Sequence, residues 1–519
     1  MSSKLFQFGS GSLLKLKKLV SHCRVNIVSK DRGVGLKGWL SGPRSKEAKG
    51  EARAETLVPI DQHRIAVLPM ANISRDPEDE YFADGLTEEL ISSISNISEL
   101  GVISRTSAMT YRGTNKKIKE IGKELDVGSV LEGSVRKAGK RIRITVQLID
   151  VRNEKHLWSQ TYDREFGDIF AVQSEIANQV AAALRIRILP EETRQLEKKP
   201  TKSSEAYNLY LKGRYFWNER TREGLLKAID QFKQATKLDP NFALAYSGIA
   251  DSYAVLGNYY QVPYLEAFEK QKENASKAVE IDDFSAEAHT SLAAALGNDY
   301  NWDGAEREFN RAIELNPNYA TAHHWYGVVL LRQGKLGKAL HEASKAQLLD
   351  PMALQISVFR AVVYDAMKKY DLAEEQLKKV LEVEPNFVTA HGNLSTVLLH
   401  QRKYDELERE GREILRLTHD RPVSKAWMAV GYAFAGRKEE ARAILKEVNA
   451  LLPETYVGAQ PIVYTYLGLG EKEKAIELVE KEWERHADWL PDLMRDPLAA
   501  SIRFEPRVIE VLKKIGLEN

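Results

Sequence analysis

The sequence predicts an α/β mixed-sheet domain followed by an all-α superhelical solenoid. Three observations carry that prediction. Between residues 64 and 188, short apolar runs alternate with amphipathic stretches, as strands and helices sharing one core require. From about residue 206, small residues and prolines recur at a step of 34: Ala305, Ala339 and Ala373, and Pro317, Pro351 and Pro385. Between the two, residues 189–205 read LPEETRQLEKKPTKSSE, polar with two prolines and no apolar period, which predicts a linker.

The whole chain is consistent with that division. Its 519 residues accommodate two to four domains, and 43% hydrophobic with 29% charged residues is ordinary for a globular protein. Lys+Arg 75 against Asp+Glu 74 removes the global electrostatic case for a nucleic-acid partner. A single cysteine, Cys23, excludes an internal disulfide framework and any cysteine-based zinc site. No apolar run approaches the length of a membrane span, and the N-terminus lacks the core and cleavage site of a signal peptide. The expected compartment is the cytoplasm. Residues 1–60 carry twelve Lys/Arg against four Asp/Glu and seven glycines, which predicts a basic, flexible head.

Within residues 64–188, Arg64-Ile-Ala-Val-Leu68 before Pro69 predicts a buried strand. Leu86, Leu90, Ile91, Ile94 and Ile97 follow helical spacing. Gly101 to Ser104 opens a second strand, and Ile118, Ile121 and Leu125 mark a second helix. From Lys140 to Ile149 the pattern alternates strictly: Ile142, Ile144, Val146 and Leu148 face one way, Arg141, Arg143, Thr145 and Gln147 the other. Ala138-Gly139 turns this strand back on residues 130–135 as a hairpin. A further strand at 155–162 and a helix carrying Val172, Ile176, Val180 and Leu184 complete the order β-α-β-α-β-β-β-α.

The step of 34 after residue 206 matches the tetratricopeptide repeat (TPR), a helix–turn–helix unit, and seven to eight repeats plus a C-terminal cap fill 206–519. The alanines sit where the two helices approach, and each proline ends a second helix. One pair cannot bury its apolar face alone, so the repeats stack, and their first helices line a concave wall suited to a protein or peptide partner. The positions placed on that wall are Tyr210, Arg214, Trp217, Asp251, Thr290, Asn298, His324 and Arg332. Adjacent His323 and His324 diverge by about 100° on a helix and do not share a metal ion, so repeat packing is the expected role.

No catalytic, cofactor or metal site is predicted. The stretch DPEDEYFADGLTEELI (76–91) places seven carboxylates in sixteen residues. It fails as a calcium loop: its sixth position is Tyr81 rather than glycine, and its twelfth is Thr87 rather than glutamate. Asp84 is expected instead to cap a helix starting at Gly85, with Glu88 and Glu89 favouring the positive end of its dipole. HExxH, GxSxG, phosphate-loop and kinase motifs are missing from the sequence.

The segments IAVLPMANISRDPEDEYFADGLTEELISSIS, LGVISRTSAMTYRG and IGKELDVGSVLEGSVRKAGKRIRITVQLIDVRNEKHLWSQTYDREFGDIFAVQSEIA, in that order, resemble the TolB-amino-terminal-like domain. That domain is often fused to TPRs in bacterial and archaeal signalling proteins. The tail HADWLPDLMRDPLAASIRFEPRVIEVLKKIGL is similar to the end of such arrays. The resemblance implies a regulatory binding role. Its members commonly carry a further module in front, such as a class III adenylate/guanylate cyclase, a winged helix or a kinase, and residues 1–60 are too few for a cyclase or kinase. Three readings follow: a non-enzymatic scaffold whose TPR groove takes a protein or peptide, the regulatory part of a cyclase with its catalytic domain missing or truncated, and a transcriptional regulator using the basic head.

Overall fold

The computed structural model describes residues 63–74, 76, 79–258, 264–451 and 458–517, so the expected head at 1–60 lies outside the described residues. The first unit is a sheet of order β3-β1-β4-β5-β6. Strand β1 (Arg64–Val67) runs parallel to β3 (Gly101–Val102) and β4 (Ser129–Ala138). A two-residue strand, β2 (Ala71–Asn72), pairs with the far end of β4. β4, β5 (Arg141–Asp150) and β6 (Lys155–Glu165) are antiparallel neighbours. The expected hairpin forms with Ala138 opposite Arg141, and Gly139 takes the left-handed φ of +62° that its tight turn needs. Ile142, Ile144, Val146 and Leu148 are buried as the alternation required. Helices α1 (Glu80–Ser95) and α4 (Ile169–Leu184) cover that face, and α3 (Ile118–Leu125) lies on the other. A short helix, α2 (Arg105–Met109), and β2 are additions that five- and two-residue elements give no periodicity to announce.

The helix entrance differs from expectation. α1 starts at Glu80, after Asp79, and Asp84 sits inside it, buried. Gly85 is not a start signal. A Cβ there would lie 2.9 Å from Leu211 Cδ2, so glycine is what lets a solenoid helix approach this closely. Glu78 lies outside the described residues.

The stretch 189–205, read as a linker, carries helix α5 (Pro190–Glu197), whose Leu196 is buried against the first unit. Among the described residues, sixteen helices then form eight antiparallel pairs. The first four are α6 (Ser204–Trp217) with α7 (Arg222–Leu238), α8 (Ala243–Asn258) with α9 (Tyr264–Ile281), α10 (Ala286–Asn298) with α11 (Trp302–Leu315), and α12 (Ala320–Arg332) with α13 (Leu336–Leu349). The others are α14 (Leu354–Ala366) with α15 (Tyr370–Val383), α16 (Val388–His400) with α17 (Tyr404–Thr418), α18 (Pro422–Phe434) with α19 (Lys438–Leu451), and α20 (Ala459–Leu469) with α21 (Lys472–Trp483). Two 3₁₀ turns and α22 (Pro506–Lys514) follow. Ala305, Ala339, Ala373, Ala312 and Ala346 are fully buried, where the paired helices leave room for a methyl group only.

A second periodic device was not read from the sequence. His289, His323 and His391 each place Nδ1 2.6 Å from a glutamate of the following helix, Glu308, Glu342 and Glu410 respectively. Their Nε2 atoms meet the carbonyls of Asp283, Pro317 and Pro385. Each staple ties a loop to both helices of its repeat, and His323 is thereby a packing residue. The place this pattern skips holds Ser357, which accepts a bond from Gln347.

Several turns within the pairs put one residue in the left-handed region: Arg220, Tyr300, Gly334, Lys368, Arg402, Gly436 and Gly470. Side chains there cost about 1 kcal/mol relative to glycine. Arg402→Gly is therefore expected to raise stability by about 0.5–1 kcal/mol, the gain being trimmed by glycine's greater unfolded-state entropy. A lowered urea midpoint would show that the arginine side chain contributes more than its backbone costs.

Candidate functional site

The solenoid curls around the first unit, and the site arises where they face each other. The contacts run along the loops that join one repeat to the next. Asp239 takes the Thr201 hydroxyl and Asp282 pairs with Lys198, so the inter-unit stretch is itself docked. Asn316 Nδ2 donates to Ser95 Oγ at 2.7 Å, and Asn318 Nδ2 to the Ser95 carbonyl at 3.1 Å. Asp350 accepts from the Ser107 amide (2.8 Å) and hydroxyl (2.5 Å), and burial pushes its carboxyl up to about 6. The Ser107 hydroxyl accepts in turn from the Met352 amide. Arg64 reaches the Leu348 carbonyl and the Ser104 amide the Leu349 carbonyl, both at 2.8 Å. The apolar core is continuous across the boundary. Phe82, Phe166, Tyr207, Tyr210 and Phe232 form one run of ring contacts, and Met352 and Val383 pack on the opposite side of the sheet.

Of the carboxylates in the 76–91 stretch, Glu88 and Glu89 meet the solenoid, while Asp84 is held within the module. Arg112 and Arg105 hold Asp84. Arg214 grips Glu88 through Nε (2.7 Å) and Nη2, Arg105 Nε lies 3.1 Å away, and Asn218 donates at 3.0 Å. Burial works against the charge on Glu88, but the two guanidiniums prevail and hold its carboxyl below the usual range. Glu89 has no such partner. It takes one hydrogen bond from the Tyr207 hydroxyl at 3.3 Å, and burial, then Glu88 and Glu287, push it up to about 8.

The other edge of the solenoid is covered by its own C-terminal segment. Tyr300 donates to the Ala487 carbonyl (2.7 Å), Arg332 pairs with Asp488 (3.0 Å) and Arg495 reaches the Leu331 carbonyl (3.0 Å). His400 bridges Asp365 and Asp496, and Trp302 Nε1 donates to the Ile515 carbonyl (2.6 Å).

Between these covers lies a cavity of about 1880 Å³. Its floor is the concave wall: Val255 on α8, Asn298 on α10, His324, Trp325, Val328 and Arg332 on α12, and Leu354, Val358 and Phe359 on α14. Its roof is α2 and the residues after it, with Arg105, Thr106, Met109 and Arg112. The His324 ring lies 5.3 Å from that of Phe359, and burial, assisted by Arg220, lowers its pKa to about 4. The imidazole is neutral at pH 7, so the middle of the floor is aromatic, apolar and uncharged. Polar groups collect at one end, where Gln271 Oε1 accepts from Asn298 and Asn298 Oδ1 accepts from Arg332.

Of the eight predicted wall residues, Asn298, His324 and Arg332 line this cavity. The other five are engaged internally. Tyr210 is buried against Phe232 and Phe242, and the guanidiniums of Arg214 and Arg220 both lie over the Trp217 ring. Arg214 is committed to Glu88, Asp251 accepts from Ser291, and Thr290 returns its hydroxyl to the Ala286 carbonyl. Sequence reasoning missed Trp325, Val328 and Phe359. Helical spacing could have found the first two, since Val328 lies four residues from both His324 and Arg332, and Trp325 lies seven from Arg332. Among the described residues, no group of three or more His, Cys, Asp or Glu is placed to hold a metal, and no helix is long and apolar enough to cross a membrane.

Comparisons with known proteins match this division. Residues 308–341 and 354–387 match tetratricopeptide repeat models, and the chain is a TPR-repeat protein with a helical solenoid. Residues 61–179 match the model described as the second domain of HilA/YgeH-like transcriptional regulators. Putative adenylate cyclase 3 of Rhizobium meliloti (strain 1021) is 33% identical over 267 residues, covering 51% of this chain and 46% of that protein. Transcriptional regulator HilA of Salmonella typhimurium is 23% identical over 327 residues, covering 60% of this chain and 57% of its own. The chain spans about half the length of the curated relatives it matches. Solved structures with similar segments include Pseudomonas aeruginosa pilF, 22% identical with a TM-score of 0.31 over 40% of this chain and 95% of that one. YrrB, a TPR protein with an unusual peptide-binding site, is 23% identical with a TM-score of 0.26, over 41% and 98%.

Proposed function

We propose that this chain is a non-enzymatic regulatory scaffold of the cytoplasm that receives an extended protein or peptide segment in the chamber between the concave wall and the α/β module. The observation that carries this reading is the chamber itself. It is walled by His324, Trp325, Val328 and Phe359, with hydrogen-bonding groups gathered at the Asn298–Arg332 end. Apolar floor with a few convergent polar groups is the composition of a binding site. Asn298, His324 and Arg332 are the predicted wall residues assigned to contact. The α/β module, read here as TolB-like, forms the roof and supplies Arg105 and Arg112 to the rim.

The test begins with peptides selected from a displayed random library against the full chain. Their affinity is expected to fall at least tenfold with Trp325→Ala, which removes part of the floor, and with Val328→Trp, which fills the space. Leu226→Ala, on the exposed face of α7, is the matched control. Binders that tolerate both chamber variants at unchanged melting temperature reject the proposal.

A second reading has a specific observation behind it. The relatives matched over half of this chain are named as a putative adenylate cyclase and a transcriptional regulator, which favours a regulatory arm of such a protein. In that case the chamber senses, and output belongs to a catalytic domain or a DNA-binding head. Cyclic nucleotide formation from ATP or GTP, or salt-dependent DNA binding lost on deleting residues 1–60, would favour it over the scaffold.

A further inference from the structure

The sheet ends in a strand with an open side. Among the described residues, β6 pairs with β5 alone. The pairing slips between Leu148 and Ile149, leaving Leu157 as an extra residue, so the straight part of the strand runs from Trp158 to Glu165. Its polarity can be assigned. The Phe166 amide donates to the Lys140 carbonyl, and hydrogen-bonded pairs alternate along an antiparallel ladder. Residues 164, 162 and 160 therefore bond to β5, while the N–H and C=O groups of Ser159, Thr161 and Asp163 point to the open side. The run contains no proline, and Ser159, Gln160, Thr161, Arg164 and Glu165 are exposed. Edge strands are commonly blocked because such a row of free backbone groups invites pairing.

We propose that β6 is a self-association edge, at which two copies of this chain pair antiparallel about a two-fold axis through Thr161 to make one continuous sheet. The occupant is argued from complementarity. In this register Thr161 faces Thr161, Ser159 faces Asp163, Gln160 faces Tyr162 and Trp158 faces Arg164. Every cross-strand pair is polar–polar or cation–aromatic, and no like charges are opposed. The outward-facing residues of both strands coincide in this register, so the free donors of one copy meet the free acceptors of the other.

The experiment is sedimentation or light scattering of the full chain across a concentration series. A mass twice that of the chain is expected, with Thr161→Pro shifting it to the monomer. That proline removes an N–H that β5 does not use, so the circular dichroism spectrum should be retained. Independently, in a Cys23→Ser background, Thr161→Cys is expected to cross-link copies on oxidation, while Ser159→Cys, opposite Asp163, stays unlinked. A monomer at all concentrations, a dimer indifferent to Thr161→Pro, or equal cross-linking at both positions overturns the proposal. So does a monomer whose Ser159 and Thr161 amides resist hydrogen exchange, which would mean that another segment of the same chain covers the edge. Peptide binding in the chamber is unaffected by either outcome.

Discussion

Replacing His400 by alanine is expected to cost about 3–5 kcal/mol and to release the C-terminal segment from the solenoid. The imidazole ends α16 with its side chain 4% exposed, Nδ1 2.9 Å from Asp365 and Nε2 3.3 Å from Asp496. Both ring nitrogens must donate, so the charged form is the one that fits. Burial opposes that charge, yet the two carboxylates outweigh it and raise the pKa to about 10. Alanine leaves two largely buried aspartates facing each other without a cation. Asp496 cannot move aside, because it also accepts from the Tyr464 hydroxyl and caps the 3₁₀ turn through the Leu498 amide. The pH dependence has a definite sign. A histidine whose pKa is higher folded than unfolded contributes its full stabilisation below about 6.5 and loses it as pH rises through about 10. The urea midpoint of the native chain should fall across that window more steeply than that of His400→Ala. Hydrogen exchange should quicken at residues 487–503 in the variant first. An unchanged midpoint would mean that the segment is held by its apolar contacts alone.

That contact spans ninety-six residues in sequence, and the distance explains what could and could not be read in advance. The TPR stack was legible because its signal is local and repeated: a buried alanine or a loop proline every 34 residues leaves few alternatives. The antiparallel strands were legible for the same reason, since alternation from Arg141 to Leu148 has one structural meaning. The wrapping of the solenoid round the sheet was not. Its contacts use Asn316, Asp350, Ser95 and Ser107, residue types that equally signal turns and caps, and each side of a pair looks complete without the other. Asp84 shows the limit of local reasoning. Aspartate before Gly-Leu-Thr-Glu-Glu fits a helix cap, but the glycine is there for Leu211 and the carboxylate for Arg105 and Arg112. The candidate site divides on the same line. Residues at the carboxyl ends or centres of the concave helices reach the chamber, whereas Arg214 is taken up by Glu88 of the docked module, and Tyr210 and Asp251 by neighbouring helices of the solenoid.

The junction between module and solenoid should respond to pH through Glu89, and Glu89→Gln is expected to stabilise the chain by a few kcal/mol at alkaline pH. Four elements face this carboxyl. α1 brings Glu88, α10 brings Glu287, α6 brings Tyr207, Tyr210 and Arg214, and α4 holds the Tyr207 hydroxyl through Gln173. Arg214 is committed to Glu88, so the neutral form of Glu89 suits the site better than the charged one. A carboxyl raised from 4.5 to about 8 stabilises the fold fully below the lower value, and the contribution is lost as pH climbs through the higher. Each tenfold gain in proton affinity on folding corresponds to about 1.4 kcal/mol, and relaxation of a half-buried site reduces the total. Glutamine keeps the shape and the acceptor for Tyr207 but never ionises. The stability difference between variant and native chain should therefore open above pH 4.5, widen steadily and stop growing beyond about pH 8. Paired urea titrations at several pH values read this directly. A constant offset would mean that the substitution acts through packing. A difference that changes only below about pH 4.5 would mean that Arg214, rather than a proton, neutralises Glu89.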